Sequence, residues 1–128
     1  MNKQTKNEKD VTMTTAKETM RVSFENGCLT VCPAGEIDHH SARAMREEID
    51  RQICHYKPGQ FTLSLSHIRF MDSSGLGLIL GRLAVCRRFS CPMRLRDADA
   101  RMLRIFRMAG LGRMQDLKID GMDTEEMK

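Results

Sequence analysis

Alternating apolar and polar residues predict several strands along the chain. Residues Met20–Glu25 and Cys28–Cys32 alternate as half-buried strands do, and Asn26-Gly27 between them is a strong hairpin signal. Pro33 ends the second run. Residues 68–71 continue after a later strand in an extended or loop form. Three further runs have the character of short strands: Phe61–Ser66, Met93–Leu95 and Leu117–Ile119.

Apolar residues at helical spacing predict three helices, over Ser41–Ile53, Ser74 to about Phe89, and Asp97–Met108. The second is apolar around most of its circumference, so we expect it to be buried or to offer one side to a partner. Each helix start has two candidate capping residues. These are Asp38 or Ser41, Asp72 or Ser73, and Asp97 or Asp99. The core faces of the first and third helices are Ala42, Met45, Ile49 and Ile53, and Met102, Phe106 and Ala109.

Strands that alternate with helices form βαβ units, so the sequence predicts an α/β fold. We expect a single domain over residues 20–120, with a mixed, mostly parallel sheet packed with helices and an N-terminal antiparallel hairpin. The polar residues 1–19 are expected to be a disordered tail, and residues 121–128 an acidic tail.

Composition excludes several classes of protein. The 128 residues include 41% hydrophobic and 30% charged residues, which is ordinary for one globular domain. The five cysteines form no C-x-x-C pair, which argues against a disulfide framework and a zinc site. No run is long enough to span a bilayer, and the polar N-terminus lacks a secretory signal. We therefore expect a cytoplasmic protein.

The net charge of +4 is unevenly distributed. Residues 82–113 hold nine Arg and two Asp, whereas residues 114–128 hold two Lys and five acids. In the third predicted helix Arg101, Arg104 and Arg107 would form a stripe. This stripe is a solvated helix face, a nucleic-acid patch or a surface for an acidic protein partner.

The most informative segment runs from Phe70 to Arg82 and places two hydroxyls, Ser73 and Ser74, at the start of an apolar helix. A helix start carries unsatisfied N–H groups and partial positive charge, so a hydroxyl there can cap the helix, and a phosphate there is tolerated or favoured. The simpler alternative is that Asp72 or Ser73 is only a cap.

Enzyme motifs fit this segment poorly. The glycines Gly75, Gly77 and Gly81 lie in an apolar run, with no acidic residue on a strand end about 20 residues later, as a dinucleotide site requires. Ser74 is not in a G-x-S-x-G motif, and the chain has no P-loop. We expect Gly77 and Gly81 to allow close packing against the sheet or a partner.

Two motifs resemble those of a known family. Phe70-Met71-Asp72-Ser73-Ser74-Gly75-Leu76-Gly77 is similar to the hallmark of STAS domains, the sulphate-transporter and anti-sigma-factor-antagonist family. Gly35-Glu36-Ile37-Asp38-His39-His40-Ser41-Ala42 resembles the other motif of this family, and its continuation after Asp38 points to the sporulation anti-anti-sigma factors. The motifs stand in the family order, about 35 residues apart.

The resemblance implies a regulatory switch and not an enzyme. Such proteins bind an anti-sigma factor that is also a serine kinase, and this binding releases a sigma factor. The kinase, which supplies ATP and magnesium, phosphorylates the second serine of the motif, here Ser74, with Ser73 as a secondary candidate. A PP2C-type phosphatase reverses the reaction. No intrinsic cofactor, direct DNA binding or membrane contact is implied.

Motif position also assigns the remaining candidate residues. Asp72 would order the loop, Ser73 would be an adjacent cap or minor site, and Asp38 would contact the partner. Arg82 is a partner contact or a snorkelling surface residue. His39 and His40 are assigned to the loop and not to a metal site, because the motif offers no third ligand. The residues expected at the partner interface are Asp38, His39, Asp72, Ser73, Gly75 and Arg82.

A second hypothesis is a STAS module that binds a nucleotide or other small ligand without control by a kinase. The positive helix end and the neighbouring arginines motivate it.

Overall fold

The computed structural model describes residues 11–15 and 18–122, which form one α/β layer structure. Three helices pack with a seven-stranded sheet. The strands are β1 (Val11–Thr15), β2 (Glu18–Glu25), β3 (Cys28–Ile37), β4 (Gln60–Ser64), β5 (His67–Met71), β6 (Met93–Arg96) and β7 (Leu117–Ile119). The helices are α1 (Ala42–Tyr56), α2 (Ser74–Arg88) and α3 (Ala100–Met108), and a 3₁₀ turn follows at Leu111–Arg113.

The predicted hairpin is confirmed as the β2–β3 pair. Asn26 and Gly27 join its strands with φ values of 51° and 79°. Positive φ at both positions is the geometry of the tight hairpin turn that matches strand twist. The antiparallel pairing runs from Met20↔Pro33 to Glu25↔Cys28.

The expectation of a disordered tail over residues 1–19 is wrong for Val11–Thr15. This segment forms β1, which pairs antiparallel with β2 from Val11↔Val22 to Thr15↔Glu18. An added edge strand is held by main-chain hydrogen bonds, so it needs no apolar pattern of its own. The rest of the tail, residues 1–10 and 16–17, lies outside the described residues, as do residues 123–128 of the acidic tail.

The remaining strands pair in parallel, which confirms a mixed, mostly parallel sheet. The order is β1-β2-β3-β4-β6-β7. Residues 28–31 of β3 pair with β4, and residues 34–37 pair with β5. The segment expected to be extended or loop is therefore a strand, because the second half of β3 provides it with a partner.

The core consists mainly of aliphatic side chains and methionines, with Phe61 and Phe106 as its largest members. Met45, Ile49 and Ile53 of α1 are fully buried, and so are Phe61 and Leu63 of β4. Strand β4 differs from expectation, because its polar positions are buried as well. A central strand is covered on both faces, so alternation along it does not mark a solvent side.

Helix α3 is shorter than predicted. It begins at Ala100, and Asp99 caps it by accepting a hydrogen bond from the Met102 amide at 2.8 Å. Asp97 lies outside the helix with φ of 65°. Met102 and Phe106 are buried as expected, whereas Ala109 is exposed. Within residues 11–15 and 18–122, no helix is long and apolar enough to cross a membrane.

Replacing Lys57 with glycine should stabilise the fold. Lys57 ends α1 in the left-handed conformation, with φ of 46°, and its amide donates to the Ile53 carbonyl at 2.8 Å. Glycine adopts this conformation without steric cost, so Lys57→Gly should gain about 0.5–1 kcal/mol in the free energy of unfolding by urea denaturation. The control Arg46→Gly, at an exposed interior position of α1, should lose about 0.8 kcal/mol. A loss of stability in Lys57→Gly would contradict this account.

Candidate functional site

The parallel pairing of β3 with β5 brings the two sequence motifs to one end of the sheet. The last pair in this register is Ile37↔Met71. The chain continues from Ile37 into Asp38 and from Met71 into Asp72, and the Asp72 amide donates to the Ile37 carbonyl at 3.1 Å. Two loops separated by about 35 residues in sequence are thereby joined at the carboxyl ends of neighbouring strands.

The first loop is closed by hydrogen bonds around Asp38. Its Oδ1 accepts from the amides of His40 and Ser41, both at 2.9 Å. The Ser41 hydroxyl donates to the Glu36 carbonyl at 2.5 Å and accepts from the Asp38 amide at 3.0 Å. The Ser41 amide bond is the main cause that lowers the pKa of Asp38, so this loop presents a carboxylate.

The start of α1 is therefore organised differently from the two simple caps considered. Ser41 occupies the N-cap position, but its side chain makes no capping hydrogen bond into the helix. The Asp38 side chain instead fixes the turn that leads into the helix, and its carbonyl accepts from Ala42 at 3.0 Å.

The second loop places Ser74 as the first residue of α2. Asp72 Oδ1 accepts from the Ser74 amide at 2.7 Å, and the Asp72 carbonyl accepts from the Gly75 amide at 2.9 Å. The Leu76 amide donates to the Ser73 carbonyl at 3.1 Å. The first three amides of the helix are thus already satisfied within the loop. The Ser74 side chain is partly exposed.

Ser73 lies at the N-cap position, but its side chain makes no capping bond, so the alternative that it caps α2 is wrong. Asp72 satisfies the Ser74 amide instead. Ser73 is exposed beside Ser74. The structure therefore leaves both hydroxyls at the surface of the loop, with the cap supplied by the residue before them.

Gly75 is required by a close approach of the preceding strand. A Cβ atom at this position would lie 2.5 Å from the Met71 sulfur and in contact with Met71 Cγ. Gly75 is buried, whereas its position in the motif predicts a partner contact. Its role visible in the structure is to let the first turn of α2 pack on the end of β5.

The outward face of α2 has no neighbour in the described part of the chain. Apart from the adjacent residues and the backbone of α2 itself, no described atom lies within 4 Å of the position that a Cβ would take on Gly77 or Gly81, so the expected packing of these glycines against the sheet is wrong. Their use against a partner stays a prediction. Leu80 lies on this face and is 37% exposed, and Ala84 is exposed one turn later.

His39 and His40 are exposed in the first loop, with ring centroids 5.4 Å apart in an edge-to-face arrangement. Among the residues described, no group of three or more His, Cys, Asp or Glu side chains could hold a metal ion.

Arg82 is buried, so its assignment as a snorkelling surface residue is wrong. Its side chain is 4% exposed, and its Nε lies 2.7 Å from Asp50 Oδ1 on α1, without hydrogen-bond alignment. Burial lowers the pKa of Arg82 and raises that of Asp50, and each charge opposes the shift of the other. The pair joins α1 to α2. Contact of Arg82 with a partner stays a prediction that this burial does not favour.

Sequence reasoning did not identify Asp50 as part of this arrangement. Asp50 lies on the polar side of the helical pattern, where a carboxylate looks solvated. Only the packing of α1 on α2 reveals its partner. The Met71–Gly75 contact was likewise not identified, although a glycine one residue after the helix start was a signal of close approach.

The fold and both loops agree with a known family. Residues 20–118 match the family described as "Mlab, STAS domain". The match spans most of the chain and includes both motif loops, so the chain belongs to the STAS domain family.

Several proteins that are similar to this chain are anti-sigma factor antagonists. It is 35% identical over 92 residues to the anti-sigma F factor antagonist of Paenibacillus polymyxa, covering 72% of this chain and 79% of that protein. The unphosphorylated form of the anti-sigma factor antagonist SpoIIAA has a similar structure, with a TM-score of 0.61 and 22% identity over 84% of this chain and 92% of that chain. The phosphorylated form of SpoIIAA from Bacillus gives a TM-score of 0.57 and 23% identity over 83% and 94%.

Two glycines of α2 should respond in opposite ways to alanine. Gly75→Ala should cost about 1–3 kcal/mol in the free energy of unfolding, because the new methyl group clashes with Met71. The matched Gly77→Ala meets open space and should gain up to about 1 kcal/mol from helix propensity. Denaturant unfolding measures both, and equal effects would contradict the packing described at Gly75.

Removing Asp50 should leave the Arg82 charge buried without a partner. Asp50→Ala should therefore cost about 3 kcal/mol in the free energy of unfolding, less to the extent that solvent reaches the site. Glu47→Ala is the matched control on the same helix, because it breaks only the exposed pair with Arg43 and should cost under about 0.5 kcal/mol. Thermal or urea unfolding distinguishes the two. A cost as small as that of the control would show that Asp50 does not support Arg82.

Proposed function

We propose that this protein is an anti-sigma factor antagonist. It binds an anti-sigma factor that is also a serine kinase, and this binding releases a sigma factor. Phosphorylation of Ser74 switches the binding off, and a PP2C-type phosphatase restores it. The protein acts in the cytoplasm by binding and catalyses no reaction; ATP and magnesium come from the kinase.

The convergence of the Asp38 and Ser74 loops is the single observation that carries this proposal. The loops form one surface at the end of β3 and β5, and the Asp72 amide joins them. Membership of the STAS family and similarity to an anti-sigma F factor antagonist support the partner class. The relative SpoIIAA has both unphosphorylated and phosphorylated forms, which supports control by phosphate.

The position of Ser74 suits a modification that changes the surface and leaves the fold intact. Its side chain is partly exposed, so a kinase can reach the hydroxyl. A phosphate carries about −1.5 to −2 charges, and a helix start tolerates negative charge. Phosphorylation is therefore compatible with a folded α2.

The hydrogen bonds of the loop would leave the charge of a phosphate on Ser74 at the surface, where it can act on a partner. The amides of Ser74, Gly75 and Leu76 already have acceptors, so they are not free to bind a phosphate on Ser74. The phosphate would instead lie on a surface that already carries the Asp38 and Asp72 side chains. A partner fitted to a neutral hydroxyl would meet steric bulk and unpaired negative charge.

Exposed apolar side chains on both sides of the loop provide a docking area. Phe70 is 41% exposed just before the loop, and Leu80 is 37% exposed on α2. The open faces of Gly77 and Gly81 would let a partner backbone approach α2 closely. This surface is where we expect the anti-sigma factor to bind.

The proposal predicts distinct effects for two substitutions of Ser74. Ser74→Ala should bind the cognate anti-sigma kinase with about unchanged affinity and resist phosphorylation. Ser74→Asp should weaken binding at least about tenfold, because it places a negative charge against a partner surface that is fitted to a neutral side chain. Calorimetry with the purified kinase measures affinity, and mass spectrometry after incubation with ATP and magnesium locates the phosphate.

Ser73→Ala is the matched control, because Ser73 is exposed one residue earlier. It should retain phosphorylation at Ser74. Phosphorylation of Ser73 alone would show that Ser73, and not Ser74, is the residue that controls binding. Absence of both a complex and any modification would overturn the proposal, and heat from ATP or GTP binding to this chain alone would favour the small-ligand module instead.

A further inference from the structure

A cluster formed by a thiol, an imidazole and two hydroxyls lies outside the loops described above, near the opposite end of β5. Cys32 Sγ is 3.4 Å from His67 Nδ1 and 3.5 Å from Ser66 Oγ. Ser66 Oγ is 3.0 Å from the same imidazole nitrogen and 3.3 Å from Ser64 Oγ. The cluster therefore joins a thiol to a base through direct contact, with two hydroxyls around them.

A polar groove over the sheet gives access to this thiol. It has a volume of about 400 Å³ and is lined by Cys32, by four hydroxyl side chains that include Ser64 and Ser66, and by four charged side chains. The charged side chains are Arg21, Glu25, Arg96 and Asp97. This volume lies in the range of small-molecule sites.

A basic residue, Arg21, neighbours Cys32 in the sheet. The two residues are direct cross-strand partners in the β2–β3 register. Side chains of such a pair point to the same face with Cβ atoms about 5 Å apart.

The other cysteines lack this combination. Cys86 and Cys91 are buried, and burial raises the pKa of both thiols. Cys54 is exposed on α1, and Cys28 is partly buried at the start of β3. Neither of these two lines the groove.

We propose that Cys32 is a site of thiol–disulfide exchange with a small zwitterionic disulfide of the glutathione type held in this groove. His67 Nδ1 takes the proton of the thiol, and the thiolate attacks one sulfur of the disulfide. A Cys32–sulfur bond forms as the disulfide bond breaks, and the departing thiolate takes the proton back from the imidazolium. The products are a mixed disulfide on Cys32 and one free thiol.

The charges of the groove fit such a ligand. Arg21 and Arg96 can face its carboxylates, whereas Glu25 and Asp97 can face its ammonium groups. Asp97 is also held within the groove, because it accepts from the Ser64 hydroxyl at 3.0 Å and lies 3.4 Å from Arg96. The site depends on no part of the Ser74 switch.

Incubation of the full chain with glutathione disulfide, followed by intact-mass and peptide mass spectrometry, tests the proposal. One adduct should form first, on Cys32, at a rate that saturates with disulfide concentration. Cys32→Ser should abolish this adduct. His67→Gln, at an exposed position, should slow its formation about tenfold or more.

Two controls separate the groove from general thiol reactivity. Cys54→Ser removes the most accessible alternative thiol and should leave the rate unchanged. Arg21→Gln should slow the reaction with glutathione disulfide more than that with the uncharged 2-hydroxyethyl disulfide. Faster modification of Cys54 than of Cys32, an unchanged rate in His67→Gln, or no adduct at all would overturn the proposal.

Discussion

The arrangement of the candidate site depends on the division of one edge of β3 between β4 and β5. Its first half pairs with β4 and its second half with β5, and the register shifts between Gly35 and Glu36. Gly35 has φ of 103°, which a residue with a side chain adopts only under strain. Because the second half of β3 leaves β4 and continues beside β5, the Asp38 and Asp72 loops meet at the same edge.

The first amides of α2 already have hydrogen-bond acceptors, and this determines how a phosphate on Ser74 would act. A helix start with free amides would bind a phosphate and hide much of its charge. Here the side chain and carbonyl of Asp72 occupy the Ser74 and Gly75 amides. Phosphorylation of Ser74 would therefore change what the surface presents, with little reason for the helix to move. The switch proposed at Ser74 would need no second conformation of the chain, because the added charge itself would oppose binding of the partner.

The features that sequence could predict are those set by local signals. Asn26-Gly27 predicts the hairpin turn because both residues readily adopt positive φ. Asp99 predicts the start of α3 because its side chain caps the amide of Met102, only three residues further along the chain. The two motif loops were also predictable, since resemblance to a family fixed their order. Strand β5 and the burial of Arg82 were not, because each depends on a distant partner. A short segment such as His67–Met71 becomes a strand only when β3 provides hydrogen bonds, and Arg82 is buried only because α1 provides Asp50.

The arginine-rich segment shows the same dependence on distant partners. Counted along the chain, residues 82–113 look like a basic patch. In the fold, aspartates on either side of β7 lie next to arginines of this segment. Asp116 binds Arg87 through two contacts, and Asp120 lies 2.9 Å from Arg94. Much of the positive charge is thus paired within the domain, which weakens the case for a nucleic-acid surface. The exposed Arg101 differs, because its guanidinium lies 5.9 Å above the ring of Phe70, next to the Ser74 loop. Arg101 therefore borders the surface proposed for a protein partner.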